Sequence, residues 1–324
     1  MKALALAVCL CPLVAVAASE PAKSSAWHIE SQFALAPGMI GEWDDWAIAS
    51  PTILKFAGKW WMFYEGVMFD ESGVRSAFGI AQSKDGLAWQ KHSQNPLFAP
   101  ALSDTQSCSS PSVTRWRDAF WVVYTVSEDP FHAAPTESNA DEAPVTARLA
   151  RSEDGLIWRE MAGVRLPIFS KIPYPFRPCL YAEGDTLQLW WIEPTNEGDH
   201  ALFHSVSRDG EKWSAPNQQP AKEIDAREIC CARVYPSGNY YILSYVAYDE
   251  KRQQYSLVTK ISRDARSWSA QGPPEFPLPS HFAHPTPWLL FENGGARLFY
   301  SAQQRDNTQH LRSAYCEKKA YASP

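Results

Sequence analysis

The chain has 324 residues, 45% hydrophobic and 13% aromatic, with 14 Trp and 25 Pro among them. That composition supports a large core, and the abundance of turn formers with few long helical patterns favours an all-β protein over a helical one. The formal net charge is −6 with no Lys/Arg-rich run, which argues against nucleic acid or an anionic membrane as a partner.

Met1-Lys2 and the apolar run Ala3 to Val16 end in Ala15-Val16-Ala17. The run is too brief to remain as a membrane anchor, and the small residues suit cleavage, so residues 1–17 read as a secretory signal peptide. Residues 18–324 are then expected to form a single periplasmic or secreted domain without stable membrane insertion. Disulfides can form in such a compartment. The remaining cysteines are Cys108, Cys179, Cys230, Cys231 and Cys316. Their number is odd, and most sit near equivalent places of a repeat. The expectation is a buried disulfide between neighbouring repeats plus inert thiols, or a strained Cys230–Cys231 ring. No Cys-x-x-Cys or His-x-x-x-His spacing accompanies them, so no metal site is predicted.

From Ala47 the chain repeats. Ala47 to Leu54, a Gly58 turn and Lys59 to Tyr64 form a predicted hairpin. It returns as Ser110–Val113 with Phe120–Tyr124, as Arg177–Leu180 with Leu189–Trp191, as Cys230–Val234 with Tyr240–Tyr245, and as Thr286–Leu289 with Leu298–Tyr300. Pro51, Pro111, Pro178 and Pro287 each lie thirteen residues before an aromatic residue (Tyr64, Tyr124, Trp191, Tyr300), and Ala232 holds that place before Tyr245. A second signature, Ser-x-Asp-Gly-x-x-Trp, follows at Ser83–Trp89, Ser152–Trp158 and Ser207–Trp213, and in altered form at Ser262–Trp268. Asp-Gly suits a tight turn, because Gly accepts positive φ and the Asp side chain binds nearby N–H groups.

Four antiparallel strands, A to D, repeated five times predict a five-bladed β-propeller. The last repeat lacks strand D, and Ala26 to Gln32 resembles the D strand that begins at Ala88. The N-terminal strand is therefore expected to join blade 5 and close the ring, removing free sheet edges. Strand polarity puts the Asp-Gly turns on the bottom face, which makes Asp85, Asp154 and Asp209 structural. The B–C and D–A loops share the top face, where a long acidic insertion spanning residues 126–145 in blade 2 is either a lid or a passive insertion.

The funnel mouth on that top face is the expected site. Asp44 and Asp45 lie in the loop that leads into blade 1, and Glu228 leads into blade 4. Asp44 recurs as Asp104 and Asp225, seven residues before the Pro place, which suits a loop-shaping Asp as well as a catalyst. Glu65 and Glu193 end B strands. Arg177, just before Pro178, suits a carboxylate or sugar hydroxyls. His281 and His284 suit substrate, water or an ion. Trp43, Trp46 and Tyr174 suit stacking on sugars, or equally the filling of space between blades.

The Pro-led strand A, the Gly turn, the aromatic strand Lys59–Tyr64 and the Ser-x-Asp-Gly-x-x-Trp turn resemble the five-bladed propeller glycosidases, the arabinanase, xylosidase and invertase-like group. The resemblance covers nearly all of residues 26–316. It implies a glycoside hydrolase acting on a poly- or oligosaccharide without an organic cofactor, and by resemblance only a central structural ion. The family places an Asp base directly before the blade 1 Pro and a second Asp after the blade 2 Pro; those places hold Ser50 and Ser112 here. Its acid is a Glu at the start of a later blade, to which Glu228 is the nearest match. With a base drawn from the lead-in loop, Asp44 or Asp45 would face Glu228 across the bond, one carboxyl protonating the leaving oxygen and the other activating water or attacking carbon. Ser50 and Ser112 also motivate a different reading, a non-catalytic glycan-binding or scaffold propeller of the cell envelope. A third is a lyase or transferase using Arg177 with His281 or His284 on an acidic sugar.

Overall fold

The computed structural model describes residues 26–70, 73–97, 107–127, 145–168, 177–195, 200–269, 272–278, 286–292 and 294–320. The expected signal peptide, Asp104, the acidic insertion beyond Ser127, Tyr174, His281 and His284 lie outside these residues. The described chain is nearly all β; its helical pieces are α1 (Ala221–Ile224) and a 3-10 turn at Lys318–Ala320. None of its helices is long and apolar enough to cross a membrane.

After β1 (Trp27–Ile29) the strands come in groups. The first comprises β2 (Ala47–Phe56), β3 (Lys59–Asp70), β4 (Gly73–Ser83) and β5 (Gln90–Lys91). The second comprises β6 (Ser107–Trp116), β7 (Ala119–Ser127), β8 (Thr146–Ser152) and β9 (Trp158–Glu160). The third comprises β10 (Cys179–Glu183), β11 (Thr186–Pro194), β12 (His200–Ser207) and β13 (Asn217–Pro220). The fourth comprises β14 (Glu228–Ser237), β15 (Tyr240–Asp249), β16 (Gln254–Ser262) and β17 (Phe276–Pro277). The last strands are β18 (Trp288–Glu292), β19 (Gly295–Gln303) and β20 (Gln309–Glu317). Groups two, three and four are separate antiparallel sheets of four strands each in chain order. The first group and β18–β20 belong to one eight-stranded sheet, joined by the single parallel pair Ala47↔Gln309. β1 completes that sheet by pairing with β20, Trp27 opposite Cys316 and Ile29 opposite Ala314, as expected for the N-terminal strand.

The second strand of each group reads as a continuous apolar run because both of its faces are covered. In β7 every residue from Ala119 to Val126 is buried. The cores lie between successive groups. Trp61 and Phe63 share one with Phe120 and Tyr124, and Trp116 and Val123 share the next with Leu189 and Trp191. Trp190 and Leu202 meet Val234 and Tyr245, and Val246 and Leu257 meet Leu298 and Tyr300. Ile48, Met62 and Tyr64 then meet Phe299 and Leu311, so the last group also packs on the first. The leading strands are stitched in the same order. Thr52 Oγ1 donates to Pro111 O at 2.8 Å, Leu180 N–H to Ser112 Oγ at 2.9 Å, Cys179 Sγ to Val234 O at 3.5 Å, and Tyr235 OH to Leu289 O at 3.2 Å.

Each Asp-Gly turn is a small closed network. Ser83 Oγ accepts the Gly86 N–H and donates to Asp85 Oδ1, which also accepts the N–H groups of Leu87 and Ala88. Asp154 and Asp209 repeat the pattern. These backbone donors hold the three carboxylates below the usual range, and the same bonds bring Asp264 to about 2. The aspartates are therefore turn residues, as expected. Gly86, Gly155 and Gly210 have φ near +80°, whereas the altered fourth turn sets Ala265 at φ 55.

A feature absent from the sequence reading sits just before the Pro place. Ser50, Ser110 and Cys231 have φ of 47, 54 and 54, each inside a register shift of the leading strand. A β-bulge here suits Pro51 and Pro111, which cannot donate to a ladder. The cysteine expectation is corrected: Cys108, Cys179, Cys230, Cys231 and Cys316 are all free thiols, with no inter-repeat disulfide among the described residues. The sulfurs of Cys230 and Cys231 are 3.5 Å apart, in contact but unbonded.

Candidate functional site

The residue before the Pro place in each group is Ser50, Ser110, Arg177, Cys231 or Thr286, and the structure brings these together. Ser50 Oγ donates to Glu65 Oε2 at 2.8 Å and lies 2.7 Å from Thr286 Oγ1. A hydroxyl has one proton, and Ser50 spends it on Glu65, so Thr286 must donate to Ser50. Thr286 Oγ1 in turn accepts from Arg177 Nη1 at 2.9 Å. The result is a directed chain from Arg177 through Thr286 and Ser50 to Glu65. Glu65 Oε2 also accepts the Ser110 N–H at 3.0 Å, which brings in the second sheet. Ser50 is 1% exposed and cannot act as a solvent-facing base, being a link in this chain. Ser112 is likewise a structural acceptor, for Leu180 N–H.

Cys231 belongs to this layer, and Arg233 follows it by two residues on the same strand. Arg233 is 4% exposed, with its guanidinium 4.9 Å from the centre of the Trp288 ring. Burial lowers its pKa, and nearby Arg177 adds to that. The adjoining thiols diverge. Contact with Cys231 and burial push Cys230 well up, while the Cys230 hydrogen bond and the two guanidinium groups outweigh burial and draw Cys231 down. Trp288 also lines a cavity of about 300 Å³ whose walls come from every leading strand, among them Ile53, Val113, Leu180, Tyr235 and Leu289.

The proposed acids are dispersed. Asp44 is 1% exposed, accepts Tyr64 OH at 3.1 Å and pairs with Lys91 Nζ at 2.7 Å. Burial and this carboxylate hold the Tyr64 phenol far above its ordinary pKa. Asp225 repeats the arrangement, with Tyr245 OH at 2.8 Å and Arg227. Asp44 thus carries the bonds of a loop-shaping residue and lies out of open solvent. Asp45 accepts the Gly41 N–H at 2.7 Å and lines a cleft of about 610 Å³ with Ile40, Asp306, Thr308 and His310. Glu228 is exposed at the start of β14, opposite Tyr248. Asp45 and Glu228 share no hydrogen-bond partner among the described residues, and the Asp45 cleft is not lined by Glu228. Glu193 is 3% exposed near the end of β11, opposite Ala201.

Trp43 packs at a tilt on Tyr64, ring centres 5.7 Å apart, and covers Gly66 and Gly79, where a Cβ would come within 2.2 and 2.7 Å of its ring. Trp46 lies 5.8 Å from Phe69. Trp43 thus fills space beside the first sheet. Among the described residues no group of three His, Cys, Asp or Glu stands ready to hold a metal; His281 and His284, which the sequence offers for an ion, lie outside them.

Sequence reasoning missed Ser110, Thr286 and Arg233. A signal for the first two existed, since they share the pre-Pro place with Ser50 and Arg177. Arg233 stood out only as a charge in a strand whose counterparts are Thr52, Ser112 and Cys179.

No family model matches the chain. A curated relative, the uncharacterized protein MT1551 of Mycobacterium tuberculosis (strain CDC 1551 / Oshkosh), is 23% identical over 181 residues, 55% of this chain; the match spans 58% of that protein. Among solved structures, BT0996 in an RGII complex aligns with a TM-score of 0.60 at 15% identity, covering 91% of this chain and 93% of that one. An N-acetylgalactosamine deacetylase from F. plautii, in complex with blood group B trisaccharide, aligns at 0.62 and 15% identity, covering 90% and 95%. The Bombyx mori GH32 β-fructofuranosidase BmSUC1 aligns at 0.58 and 14% identity, covering 93% of this chain and 63% of that one. At these identities the likeness is one of fold: the structural neighbours of this chain are glycoside-hydrolase-like propeller proteins.

Proposed function

We propose that the chain is an exported, five-bladed propeller that binds a glycan where its leading strands begin, around Arg177, Thr286, Ser50 and Glu65. The single observation carrying the binding reading is the directed chain through those residues. It holds a guanidinium and a carboxylate, both partly exposed and of the types that recognise sugar hydroxyls, at the two ends of a pair of buried linking hydroxyls. Hydrolysis needs two carboxyl groups facing each other, and Glu65 is the sole carboxylate among the described members of this chain of bonds. Cores between all successive groups, including last on first, support the closed ring. Calorimetry against a broad panel of oligosaccharides tests the reading: heat of binding without release of reducing ends is expected. Binding that is unchanged in both Arg177→Gln and Glu65→Gln would refute the site.

The second reading, glycoside hydrolysis, is favoured by the Asp45 cleft and by hydrolases among the fold neighbours. Asp45 would serve as base or nucleophile and Glu228 as acid. Release of reducing sugar that disappears in both Asp45→Ala and Glu228→Ala would establish it; turnover retained in the double variant would remove that pair.

A further inference from the structure

Two cations meet near the leading strands, and among the described residues no acid is paired with either. Arg233 stands in an otherwise uncharged stretch of β14, and its Nη1 is buried with no hydrogen-bond partner. Arg177 spends Nη1 on Thr286, while its Nε is buried and unpartnered. Neither arginine forms an ion pair among the described residues. A third orphan, Ser110 Oγ, is buried on the neighbouring sheet. A buried charge left unpaired is strongly destabilising, so the arrangement asks for an anion.

The nearby anions among the described residues do not meet that demand. Glu65 Oε2 already takes the Ser50 hydroxyl and the Ser110 N–H. The Cys231 thiol is drawn toward ionisation by both arginines, yet it hydrogen-bonds to Cys230 and not to either guanidinium. Trp288 lies against Arg233, the guanidinium 4.9 Å from the centre of its ring. An aromatic face beside a guanidinium is the combination that receives a ring bearing a carboxylate, since the guanidinium fork matches two carboxylate oxygens.

We infer that Arg177 and Arg233 form an anion site that takes the carboxylate of an acidic sugar, a uronate residue of a glycan, with Trp288 beside the sugar ring. This rests on the glycan-binding reading and narrows its ligand. The orphan nitrogens would then be satisfied only in the complex.

The test uses the full-length mature protein with oligomers of galacturonate, glucuronate and mannuronate, their methyl esters, neutral oligosaccharides and inorganic sulfate. Titration calorimetry should show at least one uronate oligomer binding at least about tenfold tighter than its uncharged methyl ester, a charge-assisted contact's worth. That gap should vanish in Arg177→Gln and shrink in Arg233→Lys, each first checked for native circular dichroism. If Arg233→Lys does not fold, a melting-temperature rise in the wild-type protein with uronate and not with ester carries the same information. Equal affinity for acid and ester, or neutral glycans binding as tightly, would overturn the anion site while leaving glycan binding intact. Sulfate alone matching the best uronate would overturn the sugar assignment. Failure of every glycan to bind would bring down both readings together.

Discussion

Ser50 and Thr286, 236 residues apart in sequence, meet through a 2.7 Å hydrogen bond between their hydroxyls. The bond fastens the first group of strands to the last, and its direction is set by what lies beyond each partner: Arg177 on one side, Glu65 on the other. Removing either hydroxyl leaves a buried partner unmatched. Ser50→Ala and Thr286→Val should each cost about 1 kcal/mol. The double variant should lose less than the sum, because both changes break the same chain. Urea unfolding of the four proteins measures the coupling; strict additivity would show that the two hydroxyls act independently.

Asp44→Asn should behave as a stability variant and not as a site variant. It breaks the pair with Lys91, whose side chain is 28% exposed, while keeping an acceptor for Tyr64 OH. A loss of about 1–3 kcal/mol is expected, below that of a fully buried pair because Lys91 is partly screened. Glycan affinity at 25 °C should stay within about twofold of wild type, since among the described residues Asp44 bonds to Tyr64 and Lys91 and not to Arg177, Thr286, Ser50 or Glu65. A large loss of affinity with unchanged stability would return Asp44 to the functional site.

His204 supplies a pH dependence. Its ring stacks on Trp190 at 4.0 Å, and burial lowers its pKa to about 4. Nε2 must carry the proton, because its partner at 2.7 Å is the acceptor Gln188 Oε1. The folded pKa lies below the unfolded value, so the unfolded chain takes up the proton first as pH falls. Stability is therefore full above about pH 6.5, declines from there to about pH 4, and by linkage loses at most about 3 kcal/mol. His204→Phe should flatten that decline in urea midpoints measured between these limits. An identical slope in the variant would assign the acid sensitivity elsewhere.

The fourth Asp turn is the imperfect one, with Ala265 held at φ 55 where its counterparts are glycines. Ala265→Gly should relieve about 1 kcal/mol of left-handed strain, offset in part by lost packing against Trp268 and its neighbours. A net gain of about 0.5 kcal/mol and a slightly higher melting temperature are expected. A lower melting temperature would mean that the methyl group's packing outweighs the strain.

The repeat was legible because its markers are local. Pro places the bulge, Asp-Gly makes the turn, and Trp follows it, all within short spans of chain. Even the final pairing of β1 with β20 could be read, since Ala26 to Gln32 carries the look of a missing strand. The candidate site was less legible because its bonds join residues far apart. Asp44 looked available until Lys91 arrived from β5 to neutralise it. Ser50 looked like a lost catalyst, and its function emerges only beside Thr286. The left-handed backbone at Ser50, Ser110 and Cys231 follows from ladder geometry, which side-chain identity does not encode. The cysteines misled for a related reason: nearness in the repeat does not deliver the sulfur geometry a covalent bridge requires.

The pairing of β1 with β20 has a mechanical consequence. Trp27 lies opposite Cys316 in antiparallel register, so the two ends of the described chain leave the pair at the same side. Force applied between those ends would unzip the short ribbon rung by rung instead of shearing it, and the outermost sheet would yield before the aromatic seams behind it were strained.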